Sequence, residues 1–159
     1  MTSEQSNSHA ILFSVADQFF ALPLSMVEHV IQAVAITPVP HAPDFIEGVI
    51  NLHGQLVPVL NLRKRMGFPA RAPELSDRLV ILHTRQRLLA LLVDGVSGVI
   101  EWPESEPVTA RTVLPDSTEV QGFLPLSEGI VLVADPEHLY DPRIHGNVPS
   151  EGLEAPPAS

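Results

Sequence analysis

Seven histidines (His9, His29, His41, His53, His83, His138 and His145) are the residues of this chain best equipped for chemistry. Imidazole can move a proton near neutral pH or ligate a metal. Neither use finds a scaffold: there is no H-E-x-x-H and no H-x-H. A Ser25–His29–Asp94 triad can be drawn, but no G-x-S-x-G elbow sets a serine on a strained turn. A zinc site from His29, His53 and Asp44 or Glu28 has suitable donors, yet simply solvated histidines explain the same residues. There is no G-x-x-x-x-G-K-[ST] and no G-x-G-x-x-G, so no nucleotide is implied. Without cysteine, disulfides, thiolate catalysis and Cys-ligated metals are excluded. The residue types point away from an enzyme and from any cofactor.

The elements that carry these residues read as strands. Apolar runs of four to eight residues, rich in Val, Ile, Leu and Phe, alternate with Gly, Pro, Asp and Asn. Sixteen prolines argue against long helices. Residues 1–8 and 146–159 are small, polar and Pro/Gly-rich, and are expected to be disordered tails around a domain at 9–145. The solitary Trp102 closes a run before Pro103.

The domain is internally duplicated over 11–66 and 80–140. ILFSVADQFFALPLSMVEHVIQ (11–32) aligns without a gap on VILHTRQRLLALLVDGVSGVIE (80–101), at an offset of 69. Val30 falls on Val99, and Ala16-Asp17-Gln18 lies over Arg85-Gln86-Arg87. GVINLHGQLVPVLNLRKRM (48–66) aligns on GFLPLSEGIVLVADPEHLY (122–140), at an offset of 74. Each copy reads as a hairpin, a third strand, a second hairpin turning at His53-Gly54 or Glu128-Gly129, and a short helix. Gly48, Gly54, Gly122 and Gly129 read as structural. Five strands per copy suffice for a small closed barrel, so two face-to-face lobes with a groove between them are expected.

The formal charge of −10 makes nucleic acid an unsuitable partner. The one basic cluster, Arg63-Lys64-Arg65, reads as the solvated face of a small helix. A polar N-terminus without a basic or apolar region is unlike a secretory signal, and no run approaches the ~20 apolar residues that cross a bilayer. A cytoplasmic location without membrane insertion is expected.

V-E-H-V-I-Q (27–32), T-P-V-P-H-A-P-D-F-I-E-G-V-I-N-L-H-G-Q-L-V-P-V-L-N-L-R (37–63), L-L-V-D-G-V-S-G-V-I (91–100) and G-I-V-L-V-A-D-P-E-H-L (129–139) together resemble the CheW-like family. The resemblance implies an all-β double barrel of two Src-homology-3-like five-stranded lobes with short helices. It also implies a non-catalytic adaptor in chemotaxis or a related two-component pathway. The partners implied are the tip of a chemoreceptor and the regulatory domain of a CheA-like histidine kinase, with recruitment to receptor arrays. A different reading is a small-molecule sensor that uses the inter-lobe groove as a pocket.

On that resemblance, partner contacts are expected from Val27, Glu28, His29, Val30, His53 and Leu56, with Val27, Val30 and Leu56 near the groove. Two departures stand out. Where the family usually has Glu in V-x-E-V this chain has His29, and where it has Arg in N-L-R-G this chain has His53. Two protonated imidazoles would repel, so partner binding is expected to weaken on acidification through this pair.

Overall fold

The apolar runs become strands and the punctuation between them becomes turns. The computed structural model describes residues 9–33, 35–69, 71–101, 108–109, 120–127 and 129–140. The first copy holds β1 (His9–Val15), β2 (Gln18–Pro23), a 3₁₀ turn (Leu24–Met26), β3 (Val27–Gln32), β4 (Ile46–Leu52), β5 (Gln55–Asn61) and helix α1 (Leu62–Arg65). The second holds β6 (Arg78–His83), β7 (Leu88–Val93), β8 (Gly95–Glu101), β9 (Val108–Thr109), β10 (Val120–Leu126), β11 (Gly129–Ala134) and helix α2 (Pro136–Leu139). The expected tails and Trp102 lie outside the described residues.

The strands form a six-stranded sheet, β8-β1-β2-β11-β10-β9, and a five-stranded sheet, β3-β6-β7-β5-β4. Under the repeat these orders coincide, apart from the extra β9. Each sheet, however, takes its first hairpin from one copy and its remaining strands, four in the six-stranded sheet and three in the five-stranded one, from the other. A lobe is therefore not one copy, as the sequence suggested, but a mixture of both. The short connections force this. Asp94 alone separates β7 from β8, and two Cα steps span about 7 Å. Reaching the far side of β6 would take two strand spacings, about 9.6 Å. The Asp94 N–H instead meets the Ser14 carbonyl at 2.9 Å, and β8 runs on beside β1.

The exchange explains why the first hairpins are apolar on both faces. In β6, Val80 and Leu82 point into a central core shared by both sheets, with Leu89, Leu91 and Val93 of β7 and Ile11, Phe13, Phe20 and Leu22 of β1 and β2. Leu79, Ile81, Ala90 and Leu92 face the interior of the five-stranded lobe with Ile50, Val57 and Val59. Ala10, Leu12 and Ala21 do the same in the six-stranded lobe. The two lobes of the expectation are thus present, each with its own interior, and a third, central core fills the groove expected between them.

The five-stranded lobe closes where Thr37 bridges Val49. Gly48 makes room for this, at φ +149°: a Cβ there would lie 2.1 Å from the Thr37 carbonyl oxygen. The basic cluster also departs from the expected solvated face. Arg65 is only 4% exposed, because Nε donates to the Leu139 carbonyl at 2.7 Å and Nη2 to that of His138 at 3.3 Å. It covers the C-terminal carbonyls of α2, where the Tyr140 N–H also meets the His138 carbonyl.

Candidate functional site

The inter-sheet face of each sheet overruns the central core. Val30 pairs with Val80 and so shares its face, yet it is 40% exposed. Leu56 shares a face of β5 with the core residue Leu60, and is 67% exposed. Their repeat counterparts behave alike. Val99 pairs with the core residue Ile11 and is 53% exposed, and Ile130, on the face of Ala134, is 60% exposed. Sequence reading named Val30 and Leu56 but missed Val99 and Ile130, although the duplication itself pointed to them. Val27 packs against the central core.

Three expected polar residues gather at one end of the five-stranded sheet. The register puts the start of β3, the β6–β7 turn and the β4–β5 turn there together. The β3–β6 ladder skips from Val27 to His29, so Glu28 is the extra residue of a bulge. Its Oε2 lies 2.7 Å from Nδ1 of His83 on β6, and both side chains are about half exposed. His83 was not among the expected residues; only the register of β6 against β3 reveals it. His29 is exposed on the edge strand β3, and His53 is exposed in the β4–β5 turn. His53 takes φ +53°, followed by Gly54 at +86°, a two-residue hairpin turn. Asn51 Oδ1 accepts the Gly54 N–H at 2.7 Å. Among the described residues neither the His29 nor the His53 side chain makes a hydrogen bond or ion pair, so the two imidazoles are not bonded to each other. The acid–base pair of this surface is Glu28 with His83.

The aspartate of the imagined triad is engaged elsewhere. Asp94 Oδ2 accepts from the Ala16 N–H at 2.9 Å and from Arg63 at 2.6 Å, while Oδ1 accepts from Arg71 at 2.9 Å. Arg71 also chelates Asp77, at 2.8 and 3.2 Å. Asp77 is 2% exposed. Burial pushes its carboxyl up, but hydrogen bonds from Arg71 and from the Glu74 N–H outweigh burial and hold it below the usual carboxylate range. A cavity of about 10 Å³ lined by Asn61, Arg63, Arg71, Pro73, Asp77, Leu92 and Asp94 lies inside this network. It has room for one water molecule and none for a metabolite. Among the described residues no three His, Asp or Glu side chains are placed to hold a metal. No helix among them is long and apolar enough to cross a membrane.

Known proteins with this arrangement are CheW proteins. A solved structure titled as the scaffolding protein TtCheW from Thermoanaerobacter tengcongensis superposes with a TM-score of 0.75 at 28% identity, over 85% of this chain and 93% of that one. The chemotaxis protein CheW of Bacillus subtilis is 31% identical over 121 residues, 76% of this chain and 78% of its own length. CheW of Rhizobium meliloti is 34% identical over 90 residues, 57% of this chain, so that the match spans 58% of that protein's length. The CheW-like domain model matches residues 9–142, and the chain belongs to the CheW-like family.

Proposed function

We propose that the protein is a non-catalytic adaptor that joins a chemoreceptor tip to the regulatory domain of a CheA-like histidine kinase, at receptor arrays in the cytoplasm. The observation that carries the reading is the pair of repeat-related overhangs, Val30 with Leu56 and Val99 with Ile130, one pair on each sheet. Exposed apolar side chains at the margin of a rigid sheet suit the apolar stripe of a helical hairpin or the lobe of another barrel. Two such surfaces on one rigid body let a single molecule hold two partners and set their orientation. Val27, Glu28, His29 and His53 border the overhang of the five-stranded sheet and complete its contact set. The small-molecule sensor is disfavoured because the space between the sheets is filled by side chains.

The test is calorimetric titration against the purified regulatory domain of the CheA-like kinase from the same genome, with a receptor-tip peptide in a parallel series. Micromolar association is expected, as for transient signalling contacts. Leu56→Glu and Ile130→Glu should each keep the thermal midpoint while weakening one of the two associations about tenfold, the size of a hot-spot loss. Wild-type protein with no heat of binding to either partner would refute the adaptor.

A further inference from the structure

The Glu28–His83 pair says more about the partner than the apolar overhang does. At the equivalent bulge of the six-stranded sheet the extra residue is Ser97, since the β8–β1 ladder skips from Val96 to Gly98. A bulge here therefore does not need a carboxylate. Nor does the pair support the fold: it is half exposed, and exposed pairs contribute little. A carboxylate held at 2.7 Å by a titratable base, beside exposed apolar side chains, is better explained by what it meets on a partner.

Resting on the adaptor reading, we propose that Glu28 is a recognition carboxylate that accepts a basic side chain of the partner in competition with His83, so that acid weakens the complex. A neutral imidazole holds the carboxylate by an ordinary hydrogen bond, which a partner's cation outcompetes, because charge-assisted bonds are roughly twice as strong. An imidazolium holds it as an ion pair. Histidines gain charge as the pH falls through about 6.5. The remaining ionisable groups at this end of the sheet act in the same direction, are occupied, or are guanidinium groups, whose charge does not change in this range. His29 on β3 and His53 in the β4–β5 turn add positive charge in acid. In the β6–β7 turn, Arg87 lies over the Tyr140 ring, and the backbone N–H of Arg85 donates to Glu137. Arg78 is at the far end of β6, Glu47 on β4 is paired with Lys64, and neither β7 nor the 3₁₀ turn carries an ionisable side chain.

The experiment measures affinity for the kinase regulatory domain at pH 7.5 and 5.5 for wild type, His83→Gln and Glu28→Gln; the partner's own titration is common to all three. Wild type should bind about two- to fivefold more weakly at pH 5.5, the worth of an exposed ion pair. His83→Gln should keep the affinity at pH 7.5 and lose at least half of the pH response. Glu28→Gln should bind two- to fivefold more weakly at pH 7.5 and respond least to acid. Binding that strengthens in acid, or two variants that follow wild type, would overturn the inference and leave the adaptor standing. Absence of binding to the kinase domain at both pH values would overturn the inference, and absence of binding to the receptor-tip peptide as well would overturn the adaptor.

Discussion

The bulge-and-turn end of the five-stranded sheet and that of the six-stranded sheet occupy the same duplicated positions with different chemistry. The exposed apolar pair is present on both, as Val30 with Leu56 and as Val99 with Ile130. The glutamate and the three histidines of the first end are small and uncharged in the second. Glu28 becomes Ser97, His29 becomes Gly98, His53 becomes Ser127 and His83 becomes Ser14. Strand alternation explains the apolar positions, because each continues a face that enters the central core. No such demand acts on bulge and turn residues, so the two copies are free to differ there. The difference teaches that both ends can hold an apolar partner, but only the five-stranded sheet carries an acid–base pair at its bulge.

The most damaging way to break the comparison is Gly48→Ala, which puts a Cβ against the Thr37 carbonyl and opens the five-stranded lobe alone. A loss of about 3 kcal/mol or more is expected from backbone strain and displacement together. Chemical denaturation should still show one transition, because the hairpins exchanged between copies give both sheets a common core. Two separable transitions would show that the sheets are energetically independent.

The second test concerns the segment that follows α1 on the five-stranded sheet. Arg71→Met leaves Asp77 buried without its guanidinium, and should cost about 2–3 kcal/mol at pH 7. In the wild type the Asp77 carboxyl is held below its usual range. Its stabilising contribution is therefore present above the unfolded value of about 3.9 and lost as the pH falls through the lower folded value. In the variant burial is opposed mainly by the Glu74 N–H, the carboxyl rises relative to the wild type, and protonation relieves part of the penalty. The stability gap should be widest near neutrality and narrow below about pH 4. Urea midpoints for both proteins from pH 3 to 7 check this; a gap that stays constant would remove Asp77 from the explanation.

The smallest effect sharpens the comparison. Ser97→Glu with Ser14→His copies the acid–base pair onto the six-stranded sheet. The change leaves Gly98 untouched, since its φ of +140° would strain any larger residue. Whichever partner Ile130→Glu weakens should then bind with a pH response of about twofold that the wild-type surface lacks. A doubly substituted protein with an unchanged pH profile would mean that the pair needs more of its surroundings than the bulge.

The sequence by itself determined the strands, their duplication, the order of elements within each copy, the turn at His53-Gly54 and the absence of a catalytic or phosphate-binding scaffold. These follow from local rules: side-chain alternation, turn chemistry and motif spacing act over a few residues. It also singled out Val30 and Leu56, which the structure leaves exposed. Only the tertiary structure decided which copy supplies which strand, since that depends on whether one residue at Asp94 or three at Leu24–Met26 can span a sheet. Only it buried Arg65, expected on a solvated helix face, by bringing the carbonyls of Leu139 and His138 to the guanidinium across the chain. Finally, it joined Glu28 to His83 in an acid–base pair. That pairing is a property of the register between β3 and β6, strands from different copies, and no spacing along the chain encodes it.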